Sequence, residues 1–269
     1  MKRMQREENG DILDAIRGAE MILVGLGEEF DGMTKSRQDA DYKHGAELLE
    51  NAGRGDLIPT WQSVFRGETE DAVEESLRIL AELLGGRNYF VVSVSTNAAV
   101  AKAPWREGRL VMPCGSDLRI QCGDSCANRL CAADEAERDG IRDRLRIWRD
   151  SAWAEEPMSA LGTCPLCGEP RKFNNIYGSR YDEGGYLPDW QNYTRWIQGT
   201  LNKNLVVLEL GVGMRFPSVI RFPFEKIAYF NQKAKFYRVN GSLYQLTAEL
   251  AEKGVGIAKN AIDWLQNLC

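Results

Sequence analysis

Short apolar runs recur along the chain, each closing on a glycine or a small polar residue: EMILVG (Glu20 to Gly25), YFVVSVS (Tyr89 to Ser95), LVVLELG (Leu205 to Gly211) and KFYRVN (Lys235 to Asn240). Their apolar positions tend to be consecutive instead of alternating, and valine is frequent. Such runs belong to strands buried on both faces, as in a parallel sheet clad by helices. Between them the period lengthens. From Glu68 to Leu84 the apolar residues fall at 72, 73, 77, 79, 80, 83 and 84, with acids in the first turns and a stop at Gly85-Gly86. That is the spacing of a helix with one buried stripe, its acids complementing the positive end of the macrodipole. Pro223 in RFPFEKIAYFNQ marks a helix start, and Tyr244 to Leu268 reads as two helices broken at Gly254-Val255-Gly256. Strands alternating with helices predict an α/β fold with a doubly wound, Rossmann-like parallel sheet, which binds ligands at the carboxyl ends of its strands.

The middle of the chain breaks this alternation. From Ser116 to about Ile176 come clustered cysteines, the highly charged helix ADEAERDGIRDRLRIWRD, whose charges read as a solvated face, and then LGTCPLCGEPRKF. The pattern predicts a small zinc-binding module over 116–176 inserted into a Rossmann-like domain formed by 1–115 and 177–269, which itself carries a helical insertion at about 30–86. Cys164-Pro-Leu-Cys167-Gly is a zinc-knuckle spacing: two thiolates share one ion, and the glycine lets backbone amides turn toward the sulfurs. The second pair must come from Cys122, Cys126 and Cys131. Cys122 with Cys126 is preferred and Cys131 is left spare, although Cys131 could replace either. Four thiolates leave no open position, so such an ion is structural.

Composition narrows the function classes. A net charge of -5 gives no reason to expect nucleic acid or an anionic membrane as partner. No apolar run approaches the roughly 18 residues of a membrane span, and MKRMQREENGDILDAI lacks the apolar core of an export signal, so a cytoplasmic protein is expected. In that setting seven cysteines read as metal ligands or free thiols. The chain has a single histidine, His44, on a polar helical stretch. Any mechanism that needs a histidine base must use it or fail.

Three strand ends carry residues able to approach a nucleotide: Gly25-x-Gly27, Ser95-Thr96-Asn97, and the ELGVG turn around Gly211. Glu28 and Glu29 follow the first turn and would repel a pyrophosphate if they faced it. In order along the chain, Gly25-x-Gly27, Ser95-Thr96-Asn97, a residue before Gly115-Ser116, a cysteine eight residues on, paired cysteines, a late glycine turn and Asn240 ending a strand resemble the sirtuins. ELGVGMRFPSVIRFPFEKI (Glu209 to Ile227) is similar to the divergent bacterial branch that includes the macrodomain-linked ADP-ribosylating sirtuins.

The resemblance implies a Rossmann-like protein with a structural Zn²⁺ module that cleaves the nicotinamide bond of NAD. It places Asn97 at the nicotinamide and ribose side, Gly25, Gly27, Gly211 and Asn240 at the cofactor backbone and adenosine side, and Arg221 near the reactive ribose. Cys114 stands where deacetylating sirtuins carry their catalytic histidine. The sequence departs from the family at Glu28-Glu29, where small residues are usual, and at Ala98-Ala99, where an aspartate is expected. A thiol with a reference pKa of about 8.5 is a poor proton relay at neutral pH. Breaking the nicotinamide bond depends on positioning and charge stabilisation and survives the substitution. ADP-ribosyl transfer to a protein acceptor or NAD hydrolysis is therefore expected, with Asn97, Cys114 and Arg221 as catalytic candidates. A non-catalytic NAD or ADP-ribose binding module is the first alternative, favoured by Glu28, Glu29 and Ala98-Ala99. A protein deacylase is the second.

Overall fold

The computed structural model describes residues 2–123, 126, 130–153 and 161–268, with side chains from residue 10 onward. Parts of the expected zinc module, 124–125, 127–129 and 154–160, lie outside the described residues, as do Met1 and Cys269. The apolar runs are the strands β1 (Met21–Leu26), β2 (Tyr89–Ser93), β7 (Leu205–Leu210) and β8 (Lys235–Val239). With the short β3 (Leu110–Val111) and β9 (Gly254–Ile257) they form a six-stranded sheet in the order β3-β2-β1-β7-β8-β9, each pairing parallel. The doubly wound α/β expectation holds.

Both faces of this sheet are covered, which is why its central strands read as unbroken apolar runs. Ile22, Val24 and Leu26 of β1 point into one core with Ile12 and Ile16 of α1 (Lys2–Gly18), Leu77 and Leu80 of α4 (Thr69–Leu84), and Trp264 of α9 (Ala261–Gln266). Leu23 points the other way, into a core with Phe90, Val207 and Phe236, closed by Tyr193 and Trp196 of α7 (Leu187–Gln198) and Phe224 of α8 (Arg221–Phe230).

A second, three-stranded antiparallel sheet takes the order β5-β4-β6, from β4 (Gly115–Cys122), β5 (Cys131–Ala132) and β6 (Arg171–Asn175). Its core joins Ile120 and Phe173 to Ile141, Leu145 and Trp148 of α6 (Glu135–Asp150), and also to Leu49 of α2 (Ala40–Asn51) and Trp61 of α3 (Ile58–Arg66). Helices α2 and α3 thus share a core with the smaller sheet, while α4 packs on the larger one. The charged helix α6 is amphipathic: it buries one stripe, and Asp134 and Glu137 cap its start reciprocally.

The expectation of two helices broken at Gly254-Val255-Gly256 is corrected. That segment is the edge strand β9, and α9 begins only at Ala261. The glycines permit close approach of backbone instead of breaking a helix. A Cβ on Gly256 would lie 2.2 Å from the Tyr244 carbonyl oxygen, and one on Gly254 2.6 Å from that of Phe236.

Candidate functional site

The strand order reverses between β1 and β7: β2 and β3 extend the sheet to one side, β8 and β9 to the other. Ligands of open parallel sheets bind beyond the carboxyl ends of the strands at such a switch point. Here those ends are Gly27 to Asp31 after β1 and Gly211 to Gly213 after β7.

The two turns meet backbone to backbone. A Cβ on Gly27 would lie 2.2 Å from the Gly211 carbonyl oxygen, and Gly211 itself has φ +63°. Gly25 sits one step back, within β1, where a Cβ would strike Ile220 at 2.5 Å; it lets α8 pack on the strand. Asn240 and Arg221 hold the β7 turn from the other side, since Asn240 Nδ2 and Arg221 Nη2 both donate to the Val212 carbonyl. Asn240 Oδ1 accepts from the amides of Ser242 and Leu243. Arg221 opens α8, is buried, and pairs at 3.2 Å with Glu209. Glu209, wholly buried, also takes two hydrogen bonds from Arg238, at 2.7 and 3.0 Å.

Glu28 and Glu29 do face this turn. Glu28 accepts from the amides of Gly213 (2.6 Å) and Arg215 (3.2 Å), and Glu29 from those of Gly241 (2.9 Å) and Ala261 (2.6 Å). Burial pushes the Glu29 carboxyl above its ordinary range, against the pull of its two amide bonds. Backbone amides at strand and helix ends attract anions. Here the protein's own carboxylates already occupy four of them.

At the end of β2, Asn97 caps α5 (Ala98–Lys102) and is wholly buried. Its Oδ1 accepts from the Ala99 amide (2.9 Å) and from Arg66 Nη1 (3.2 Å), and its Nδ2 donates to the Phe30 carbonyl (3.1 Å). The same loop is organised by Asp31, which accepts from Ser95 Oγ (2.8 Å) and the Thr96 amide (3.0 Å) and pairs with Arg37. Burial raises the Asp31 pKa despite these partners, of which Arg37 opposes it most. Asp31 and Arg66 escaped the sequence reading. The available signal was the carboxylate closing the EEFD turn; nothing local marks Arg66.

Cys114 is buried just before β4, and its thiol is pushed up to about 12, first by burial and then by the negative charges of Asp31 and Glu28. It holds its proton at neutral pH. Gly115, next to it, has φ +65° and would carry a Cβ 2.2 Å from the Asn174 carbonyl oxygen, so the β4–β6 crossing fixes where the thiol sits. His44 is exposed on α2, edge-on to Trp153 at 5.0 Å between ring centroids.

A second cluster has the donor set of a metal site. The sulfurs of Cys122, Cys126, Cys164 and Cys167 all lie within 4.8 Å of one another. Two of the separations are 3.4 Å (Cys122 to Cys167) and 3.5 Å (Cys126 to Cys164). These far exceed a disulfide bond of about 2.05 Å. They approach the roughly 3.8 Å that Zn–S bonds of about 2.3 Å impose at tetrahedral angles. Four soft thiolates on one centre fit a closed metal site. Cys131 is exposed on β5 and outside this group, its Sγ 3.8 Å from the Ile120 carbonyl.

This arrangement is the sirtuin fold: a parallel sheet whose crevice adjoins a smaller module with four clustered cysteines. Solved structures over nearly the full chain agree. A sirtuin studied for substrate affinity superposes with a TM-score of 0.57 at 12% identity, covering 96% of both chains. A Sir2 homologue in complex with 2′-O-acetyl-ADP-ribose gives 0.56 at 13% identity, covering 96% of this chain and 94% of that one. No protein-family model matches the chain. Among curated proteins, the Protein ADP-ribosyltransferase of Staphylococcus aureus (strain Mu50) is 22% identical over 274 residues, 91% of this chain and 82% of the relative. A probable bifunctional ADP-ribose hydrolase/ADP-ribosyltransferase of Fusarium oxysporum f. sp. cubense is 28% identical over 144 residues, 53% of this chain and 24% of that protein. The resemblance to ADP-ribosylating sirtuins read from the sequence agrees with both. No described helix is long and apolar enough to cross a membrane.

Proposed function

We propose that the protein binds NAD in the crevice beyond β1 and β7 and cleaves its nicotinamide bond, passing ADP-ribose to a protein acceptor or to water. What supports this reading is the side chain that the resemblance puts in the histidine's place: Cys114 is buried, and burial raises its thiol pKa, while His44 is exposed on another helix. Deacylation requires a base there, and nicotinamide departure does not. The ADP-ribosyltransferase name of the S. aureus relative supports the same choice.

In this reading Gly27 and Gly211 let the two turns approach closely enough to form the crevice floor. Asn97 offers its remaining amide hydrogen toward the reacting ribose. Arg221 acts as a positioning residue that holds the Gly211–Gly213 turn through the Val212 carbonyl. Cys114 packs beside the ribose and excludes water. The four clustered cysteines bind Zn²⁺, which ties β4 to the Cys164–Cys167 turn.

The test is nicotinamide release from NAD by the purified protein, with and without cell extract, using Asn97→Ala as the blank. Release that needs extract identifies a transferase, and release without it a hydrolase. A second reading, a non-catalytic NAD or ADP-ribose binding module, is favoured by the four amides that Glu28 and Glu29 already cap. ADP-ribose binding without nicotinamide release in either condition decides for it.

A further inference from the structure

A cavity of about 370 Å³ opens between α3, α4, α5 and α6, apart from the β1–β7 crevice. At its base three buried polar atoms have no hydrogen-bond partner among the described residues: Arg66 Nη2, Arg138 Nε and Asp117 Oδ1. Both arginines are more than nine-tenths buried, at 5% and 9% exposure. Arg66 is held rigidly, since Nε donates to the Asp31 carbonyl (2.7 Å) and Nη1 to Glu70 (3.1 Å) and Asn97 (3.2 Å). Arg138 is held loosely: its nearest carboxylates, Asp117 and Glu135, both stand 3.7 Å away, beyond hydrogen-bond reach. Asp117 Oδ2 accepts from Thr60, at 3.2 Å. Buried donors and acceptors are almost always satisfied, and open ones gathered on one cavity indicate an absent partner.

The pattern of open valences defines that partner. Two guanidinium donors call for an oxyanion, and the adjacent carboxylate oxygen calls for a donor on the same molecule. Acidic and basic side chains line the cavity in equal number, so a polyanion gains no net attraction there. An apolar ligand would leave all three groups unsatisfied. We propose that the cavity binds a small hydroxylated anion, its single carboxylate or phosphate on Arg66 and Arg138 and a hydroxyl donating to Asp117. The exposed Lys102–Glu135 ion pair joins α5 to α6 at the cavity wall. Through Arg66 the site is one hydrogen bond from Asn97; any effect on catalysis rests on the function proposed above, so the test reads binding alone.

The experiment is calorimetric titration of the full chain with gluconate, with glycerol 3-phosphate, and with sorbitol as the uncharged control. Gluconate binding identifies a carboxylate ligand and glycerol 3-phosphate binding a phosphate ligand. Arg138→Gln is expected to weaken that binding at least tenfold, and Arg142→Gln at the wall about threefold, so the site is still tested if the first variant misfolds. The proposal is overturned if neither anion binds, if sorbitol binds equally well, or if a folded Arg138→Gln protein binds unchanged. The last result would place the anion outside this cavity.

Discussion

Replacing Glu28 by glutamine should tighten ADP-ribose binding while making the free protein less stable. Glu28 accepts two backbone hydrogen bonds, from Gly213 and Arg215. Hydrogen bonds to a charged group contribute about 1.5–3 kcal/mol each, against about 0.5–1.5 for neutral pairs. A glutamine side chain has one acceptor oxygen, so the substitution loses one bond and turns the other into a neutral one. A pyrophosphate that takes these amides from Glu28 must break both bonds, and hydration of the displaced carboxylate returns part of that cost. We take the difference between carboxylate and amide as about 1.4–3 kcal/mol, which is roughly tenfold to a hundredfold in affinity. Titration calorimetry with ADP-ribose reads the gain, and urea unfolding of the free protein reads a loss of about 1–3 kcal/mol. Unchanged or weaker affinity in the glutamine variant would refute the reasoning, because the carboxylate would then not compete with the ligand. Glu29 extends the argument to pH. Its carboxyl is raised by burial, so on acidification it takes up its proton at a higher pH than an ordinary glutamate. A ligand that displaces this side chain into water returns its carboxyl to the ordinary range and releases the proton, so ADP-ribose should bind less tightly as the pH falls through the raised pKa, and Glu29→Gln should flatten that dependence.

Three further outcomes follow from the same structure. Asp31 is raised by burial, so its contribution to stability is complete below the ordinary aspartate range and is lost as pH rises through its folded pKa. Between pH 4 and 7 the stability of the wild type relative to Asp31→Asn should fall with rising pH, and a rise in that difference would contradict the assignment. Metal analysis should find one zinc per chain; chelation or Cys164→Ser should lower the melting temperature sharply, since structural thiolate sites in zinc-finger peptides hold about 10–16 kcal/mol of apparent binding energy. Asp134→Ala removes the capping box of α6 and should cost about 1 kcal/mol in urea unfolding.

The elements were legible because their patterns are local. Ile22, Val24 and Leu26 go to one face of β1 and Leu23 to the other, and that double burial is written in consecutive apolar residues. The cysteine pairs were legible for the same reason, since thiolate ligands on one ion need short spacings. Tyr244 to Leu268 was misread because a glycine that breaks a helix and a glycine that admits a neighbouring backbone look alike until the neighbour is known. The partners of the crevice were out of reach altogether. Glu29 meets Ala261 across 232 residues and Arg66 meets Asn97 across 31, and no periodicity encodes such pairs. Arg221 shows the limit from the other side: the motif marked the residue, while its contacts to Val212 and Glu209 depend on where α8 docks.

Those long-range contacts share one origin. The turn from Gly27 to Asp31 sends out three carboxylates, and each lands on a different strand end: Glu28 on the turn after β7, Glu29 on the residues after β8 and at the start of α9, Asp31 on the loop after β2. The backbone amides at these strand ends are therefore satisfied from within. The consequence for binding is directional. A dinucleotide that uses those amides must lever the Glu28–Glu29 turn away and so disturb Asp31 two residues on, with the Ser95–Asn97 loop that Asp31 organises. Affinity and the placement of Asn97 are then set by one turn and should change together. A ligand that leaves the turn in place meets carboxylates instead of amides, and would have to bring hydroxyls or positive charge to it. The Glu28→Gln titration separates the two cases, since only the first gains from removing the carboxylate.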